Sequence, residues 1–328
     1  MDFRLKKTNE LSDSEMGQIC ELFSSIFESD RSLDMFKKQF LGTPLGYSYH
    51  GLMLDGTRIV GSYSAMPYRY LYDGQELLFT LSVDTMIAKE YRGDPWAFIR
   101  MVNPTYDAAR ADNIPFAYCF PNDSIYLIRK KILRWRDIGT LSYYVLPVSM
   151  RVKWPALSFL DSILCGGVSI AARQRVSEPA LAAQTQPLFV VQKKTDQAFM
   201  DYRYSFYHRY SSEGTGYIKV ESPCGHFVYR REVFDGVAAA FLVDIYPLTK
   251  PHLTYAVSRV LAAEKHRVAA IIYVGHLGFR PNGLFKLPKR REPKKVRMTG
   301  KILIEGVVDE RIFDLDHWCV NLSNYEAL

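Results

Sequence analysis

Between Leu77 and Asp84 the chain alternates without a break. Leu77, Phe79, Leu81 and Val83 fall on one side and Leu78, Thr80, Ser82 and Asp84 on the other, the period-two pattern of a strand. The phase slips at Met86 and Ile87, which are adjacent and both apolar. A slip of one residue exchanges the faces of a strand, and a β-bulge is the device that permits it. Such a bulge either ends the pairing or leaves backbone N–H groups free to grip a carbonyl oxygen. After Arg92 and Gly93, Asp94 predicts a helix cap and Pro95 a first helical residue. The helix carries Phe98, Val102 and Tyr106 on one face and runs to near Asn113.

Upstream, Phe3 to Lys7 reads as a first strand, and the polar stretch Asn9 to Ser14 caps a helix whose Ile19, Leu22, Phe23 and Ile26 share one face. A second helix spans Leu33 to Phe40. Strands at Tyr47 to Leu54 and Arg58 to Tyr72 are turned by Asp55-Gly56 and Asp73-Gly74 and lead into the alternating strand. Downstream come a strand at Pro115 to Pro121, a helix from Asn122 to about Leu133, and strand-like residues from Trp135 to Pro147.

The second half repeats this order. The stretch from Thr195 predicts a helix, strands follow at Gly216 to Glu221, His226 to Arg231 and Val237 to Tyr246, then a helix at Leu253 to His266 and a strand at Arg267 to Val274. The expected organisation is a first domain over 1–148, a connector over 149–187 and a second domain over 188–328. The chain's 328 residues suffice for two cores. Within the connector, Ala156 to Ala172 has Asp161 as its one charge and a break at Gly166-Gly167. It is short for a membrane span and reads as a buried connecting helix.

Composition is that of a globular protein, 48% apolar and 23% charged, and its 14% aromatic share suits half-buried sheets. The net charge of +7 is concentrated in Lys286 to Arg297, seven basic residues against Glu292, and in Arg129 to Arg136, five basic residues. These runs read as solvated faces, with attraction for phosphates, anionic lipid or RNA as the alternative. Five scattered cysteines without a CxxC pair suit a reducing compartment, and the seven histidines form no HExxH or HxH, so no metal site is expected. The start, MDFRLKKTNE, has no apolar run of the kind a signal peptide needs, and a cytoplasmic location is expected.

The element order, the strand-turn-helix from Ile87 to Phe98 and the FPND run at Phe120 to Asp123 together resemble the GNAT superfamily of acyl-CoA-dependent N-acyltransferases over Phe3 to Pro147. The resemblance implies an α/β fold with a mixed sheet, two acyl-CoA N-acyltransferase-like domains in tandem with the second degenerate, and acetyl-CoA or another acyl-CoA as co-substrate. The family's R/Q-x-x-G-x-G/A turn holds the CoA pyrophosphate on backbone amides at a helix start. Here the run is Arg92-Gly93-Asp94-Pro95-Trp96-Ala97. Arg92 and Ala97 fit, Pro95 stands where the family has glycine, and Gly93, Asp94, Trp96 and Ala97 keep amides that could cradle the phosphates. By the same resemblance the backbone of Met86, Ile87 and Ala88 polarises the thioester carbonyl, and Asn122 contacts the cofactor arm. The tyrosine that protonates the departing thiolate falls at Arg129 or Lys130, leaving Tyr126 as the nearest substitute. Asp84, with Glu90 second, is the carboxylate expected to take the amine proton.

The expected activity is transfer of an acyl group to the amine of a small acceptor, with an amino sugar or nucleotide sugar as one option, held between the halves. Asp314, Asp316 and His317 would face that cleft or belong to an ordinary closing strand. Two other readings stand beside it: a non-catalytic or binding protein on the same scaffold, motivated by Pro95 and the missing tyrosine, and Fem-like transfer from aminoacyl-tRNA, motivated by the basic runs. Nucleic acid is not the expected partner, and the oligomeric state is left open.

Overall fold

The computed structural model describes residues 1–149, 189–206, 216–234 and 236–325. The apolar stretch Ala156 to Ala172 and the connector reading lie outside these. Two compact units emerge, taken over their described residues: one from Met1–Gly139, Val191–Arg209 and Arg297–Asp314, the other from Thr140–Val190, Tyr210–Val296 and Leu315–Leu328.

The first unit begins with β1 (Asp2–Lys7), α1 (Asp13–Phe27), α2 (Leu33–Phe40), β2 (Tyr49–Asp55), β3 (Arg58–Tyr72) and β4 (Gln75–Ile87). Helix α1 starts on a capping box, with Ser12 Oγ accepting from Glu15 N and the Glu15 carboxylate accepting from Ser12 N. Ile19, Leu22 and Phe23 of the predicted apolar face are buried together with Met16 and Cys20, and Ile26 is half-buried. The β3–β4 turn places Asp73 and Gly74 both at positive φ, 48° and 80°, which matches the twist of a hairpin. Next come α3 (Pro95–Ala111), β5 (Phe116–Cys119), α4 (Asp123–Lys131) and β6 (Arg136–Thr140).

The chain then changes sheet. Strand β7 (Ser142–Pro147), which the sequence reading assigns to the close of the first domain, pairs instead with β12 (Ala270–Gly275) in the second unit. The first sheet is completed by β14 (Arg297–Ile302), which lies between β5 and β6, giving the order β1-β2-β3-β4-β5-β14-β6. Short strand β8 (Val191–Lys193) also pairs with β3. The helix expected from Thr195 is capped by Asp196 and is short, α5 (Gln197–Asp201), followed by one π-helical turn.

The second unit holds β9 (Ile218–Ser222), β10 (Gly225–Phe234), β11 (Val237–Tyr246), α6 (Lys250–Glu264), β12 and β13 (Phe285–Lys286), in the sheet order β13-β7-β12-β11-β10-β9. Strand β11 runs parallel to β12, as β4 runs parallel to β5. A meander, a helix and a parallel strand thus occur in both units. Leu146, Phe227, Leu242, Leu253, Val257, Ile271 and Tyr273 are buried in one core cluster.

Among the described residues no helix is long and apolar enough to cross a membrane. Among the same residues no group of three or more His, Cys, Asp or Glu is placed to hold a metal ion.

Candidate active site

Strands β4 and β5 pair in parallel at Phe79 with Phe116, Thr80 with Ala117 and Leu81 with Tyr118, and there the pairing stops. Strand β5 ends at Cys119, whereas β4 continues to Ile87. From Ser82 onward β4 therefore keeps β3 on one side and has lost β5 on the other. The result is a fork in the first unit's sheet.

A bulge sits at this fork. The β3–β4 register passes from Ser64 opposite Val83 to Ser62 opposite Met86, so Asp84 and Thr85 together oppose Tyr63. Asp84 takes a left-handed φ of 45°, a conformation Asp tolerates better than most residues. The phase slip seen in the sequence at Met86 and Ile87 is the downstream trace of this bulge.

Past the bulge the ladder resumes, and Ala88 N donates to Val60 O at 2.8 Å. Backbone groups alternate in direction along an antiparallel strand, so Met86 and Ala88 face β3 and Ile87 faces away from it. Consistent with this, the Ile87 carbonyl accepts from Arg92 Nε at 2.8 Å. Of the three residues expected to grip a thioester carbonyl, Ile87 has the amide on the fork side; the Ala88 amide is already used.

The turn into α3 has the expected cap and first helical residue, and the cap bears on the amides expected to cradle a phosphate. Asp94 is the helix cap, and its Oδ1 accepts from Trp96 N at 2.8 Å. The Trp96 amide is therefore committed, and a carboxylate stands at the helix start where an incoming phosphate would seek positive potential. Arg100 Nη2 approaches the other Asp94 oxygen at 3.4 Å, the Trp96 side chain is 71% exposed, and Ala97 is buried. Gly93 and Arg92 lie exposed beside them.

Asn122 caps α4, its Oδ1 accepting from Ile125 N at 3.2 Å and from Ser124 Oγ at 2.7 Å. Tyr126 donates to Asp137 at 3.0 and 3.2 Å, receives Lys130 Nζ at 3.3 Å and lies under the Arg297 guanidinium. Its hydroxyl thus points toward β6, away from β4. Glu90 is exposed and 3.6 Å from Arg58.

Asp84 and the fork's other polar groups are on opposite faces of the sheet. Adjacent residues on β3 show the two faces: Ser64 bonds His50, which packs on Phe36 and Phe40 of α2, while the Tyr63 ring meets Tyr106 of α3. The Asp84 carboxylate accepts from Arg31 Nη1 at 2.7 Å, and Arg31 stacks over Phe23 of α1, so the pair belongs to the α1–α2 face. Asp84, the expected base, is bound to Arg31, and Tyr126, the expected acid, is bound to Asp137.

The α3 face holds a residue that the sequence reading named only as the place of a missing tyrosine. Arg129 is 2% exposed. Its Nη2 donates to Ser82 Oγ at 2.7 Å, just before the bulge on β4, and to Thr85 Oγ1 at 2.8 Å, within it. Its guanidinium lies over the rings of Trp135, at 4.8 Å, and Tyr63, at 5.7 Å, and Trp135 Nε1 donates to Tyr106 at 2.9 Å. Cys119, at the end of β5, bonds Thr299 of β14 at 3.2 Å. Burial pushes the Cys119 thiol up, partly opposed by the Arg129 charge. The fork is thus floored by a fixed cation.

No family model and no curated protein matches the chain. Solved structures do. A GCN5-related N-acetyltransferase from Anabaena variabilis superposes with a TM-score of 0.59 at 14% identity, covering 92% of this chain and 73% of that one. The chain has the fold of the GCN5-related N-acetyltransferases. The same GNAT fold is seen in a probable N-acyltransferase from Enterococcus faecalis, with a TM-score of 0.57, 13% identity and 92% and 73% covered. Eis1 from Mycobacterium abscessus gives 0.56, 12%, 92% and 74%. These matches span both units, in keeping with the repeated meander, helix and parallel strand.

Proposed function

We propose that the protein is an acyl-CoA-dependent N-acyltransferase whose donor thioester enters the fork between β4 and β5. The observation that carries this is the bulged strand that turns the Ile87 amide away from β3 in the part of β4 that runs on beyond the end of β5. An N–H fixed in a strand is a preorganised donor for a carbonyl oxygen that gains negative charge as an amine attacks it. The neighbouring strands supply the walls for an extended thioester arm, and a small amine, an amino sugar being one option, is the acceptor.

Calorimetry with acetyl-CoA, followed by thiol release in the presence of amino sugars, polyamines and amino-acid amides, tests this reading. Micromolar to submillimolar binding with amine-dependent thiol release supports it. No heat up to millimolar acetyl-CoA would sink it.

One observation favours a second reading, that of a scaffold which has given up the cofactor. Asp94 caps α3 and consumes the Trp96 amide, and proline at position 95 has no N–H to offer. Under that reading no acyl-CoA binds, and restoring a glycine at position 95 changes nothing.

A further inference from the structure

Arg129 carries a charge that the fold does not need. Its Nε and Nη1 are buried and meet no acceptor, and among the described residues no carboxylate lies within ion-pair distance of it. Taking a guanidinium out of water without a counter-ion costs more than its stacking on Trp135 and Tyr63 returns. The nearby hydroxyls of Ser82 and Thr85 satisfy Nη2 alone. A cation held at such a cost, beside a strand edge that has lost its neighbour, is complementary to an anion that arrives or forms there.

Acyl transfer from a thioester forms one. The amine nitrogen attacks the carbonyl carbon and a C–N bond is made. The C–S bond then breaks with its electron pair going to sulfur, and the ammonium proton passes to water. We propose that the Arg129 guanidinium stabilises the departing thiolate by charge, in place of a proton donor, while the Ile87 amide serves the carbonyl oxygen. This rests on the acyltransferase reading above. Tyr126 and Lys130, the groups on α4 nearest this place that could give a proton, are both directed to Asp137.

A guanidinium keeps its charge throughout the working pH range. The titratable groups that face it are Cys119 from β5, Tyr63 from β3 and Tyr106 from α3; β14 contributes Thr299, which does not titrate. Burial pushes both the Cys119 thiol and the Tyr106 phenol up. The rate of the wild-type chain is therefore expected to show no alkaline decline attributable to loss of an acid's proton.

The test uses the full chain, acetyl-CoA and whichever amine of the panel is acylated. Arg129→Gln is expected to bind acetyl-CoA within threefold of wild type, to melt no lower, and to lose at least 30-fold in kcat. The loss should grow as the thiol of the donor becomes more basic, from aryl to alkyl thioesters. Arg129→Tyr should recover part of the rate and bring an alkaline limb with it. Should Arg129→Gln fail to fold, Arg129→Lys, which keeps the charge, is expected to retain the weak dependence on the leaving group. Wild-type kcat in Arg129→Gln, a loss equal for all thiols, or a steep dependence in Arg129→Lys would overturn the proposal while leaving the acyltransferase reading intact. A wild-type protein that neither binds acetyl-CoA nor releases thiol would overturn both.

Discussion

Arg31 donates to the Asp84 carboxylate at 2.7 Å, with side chains only 2% and 8% exposed. Breaking a buried ion pair from one side leaves the other charge uncompensated and costs about 3–5 kcal/mol. Asp84→Asn, which suits the left-handed backbone there, is expected to lower the free energy of unfolding by roughly that amount. Adding Arg31→Met should recover a good part of the loss. Urea melts of the two single variants and the double variant measure the coupling; additive losses would show that the pair contributes no mutual stabilisation.

The start of α3 makes a second prediction. Replacing the cap by Asp94→Gly removes a carboxylate and frees the Trp96 amide, at a cost of a few tenths of a kcal/mol in helix capping. Together with Pro95→Gly it should tighten acetyl-CoA binding by about tenfold, since each restored N–H and the removed charge favour a phosphate. Affinity that stays the same in calorimetry would mean that the CoA phosphates do not lie at this helix.

Acid sensitivity follows from His50. Its imidazole is fully buried between Thr8 Oγ1, 2.9 Å from Nε2, and Ser64 Oγ, 3.0 Å from Nδ1, and burial pushes its pKa down to about 3. The unfolded chain takes up that proton near pH 6.5, so the stability is complete above this and is lost as pH falls toward 3, by about 1.4 kcal/mol per pH unit. Urea midpoints taken at pH 7, 5.5 and 4.5 should fall accordingly, and His50→Asn should flatten the decline. A parallel decline in the variant would assign it to other groups.

Gly51 sets the distance between β2 and α3. A Cβ there would lie 2.1 Å from the Met101 carbonyl oxygen, which is backbone and cannot yield without the helix moving. Gly51→Ala should destabilise the protein by about 1–3 kcal/mol, the usual cost of overpacking. Because α3 begins at the candidate phosphate turn, its displacement should also weaken acetyl-CoA binding. Thermal melts and calorimetry on the same preparation read both effects.

Much of the fold was legible because its signals are local. Alternation marked β4, the adjacent apolar pair Met86-Ile87 betrayed the bulge, and Asp73-Gly74 marked the hairpin. The fate of β7 and the entry of β14 beside β5 depend on pairings between residues more than a hundred positions apart, as in Ala270 with Pro147 and Thr299 with Cys119, and no local pattern encodes them. The site was half legible. A run of five basic residues read as a solvated face, yet α4 turns Arg129 inward while leaving Leu127 and Ile128 56% and 37% exposed. The one available signal was that arginine occupies the place where the resemblance expects tyrosine.

Strand β14 has a bearing on how the molecule is made. On the ribosome β5 emerges long before its neighbour, which is translated only after most of the second unit, a delay on the order of ten seconds at typical rates. Until then the Phe116–Cys119 edge stands open beside the unfinished fork, with Tyr118 and Cys119 lacking the partners that Gly300 and Thr299 later provide. The acyl-donor site proposed here would therefore be among the last parts of the nascent chain to close.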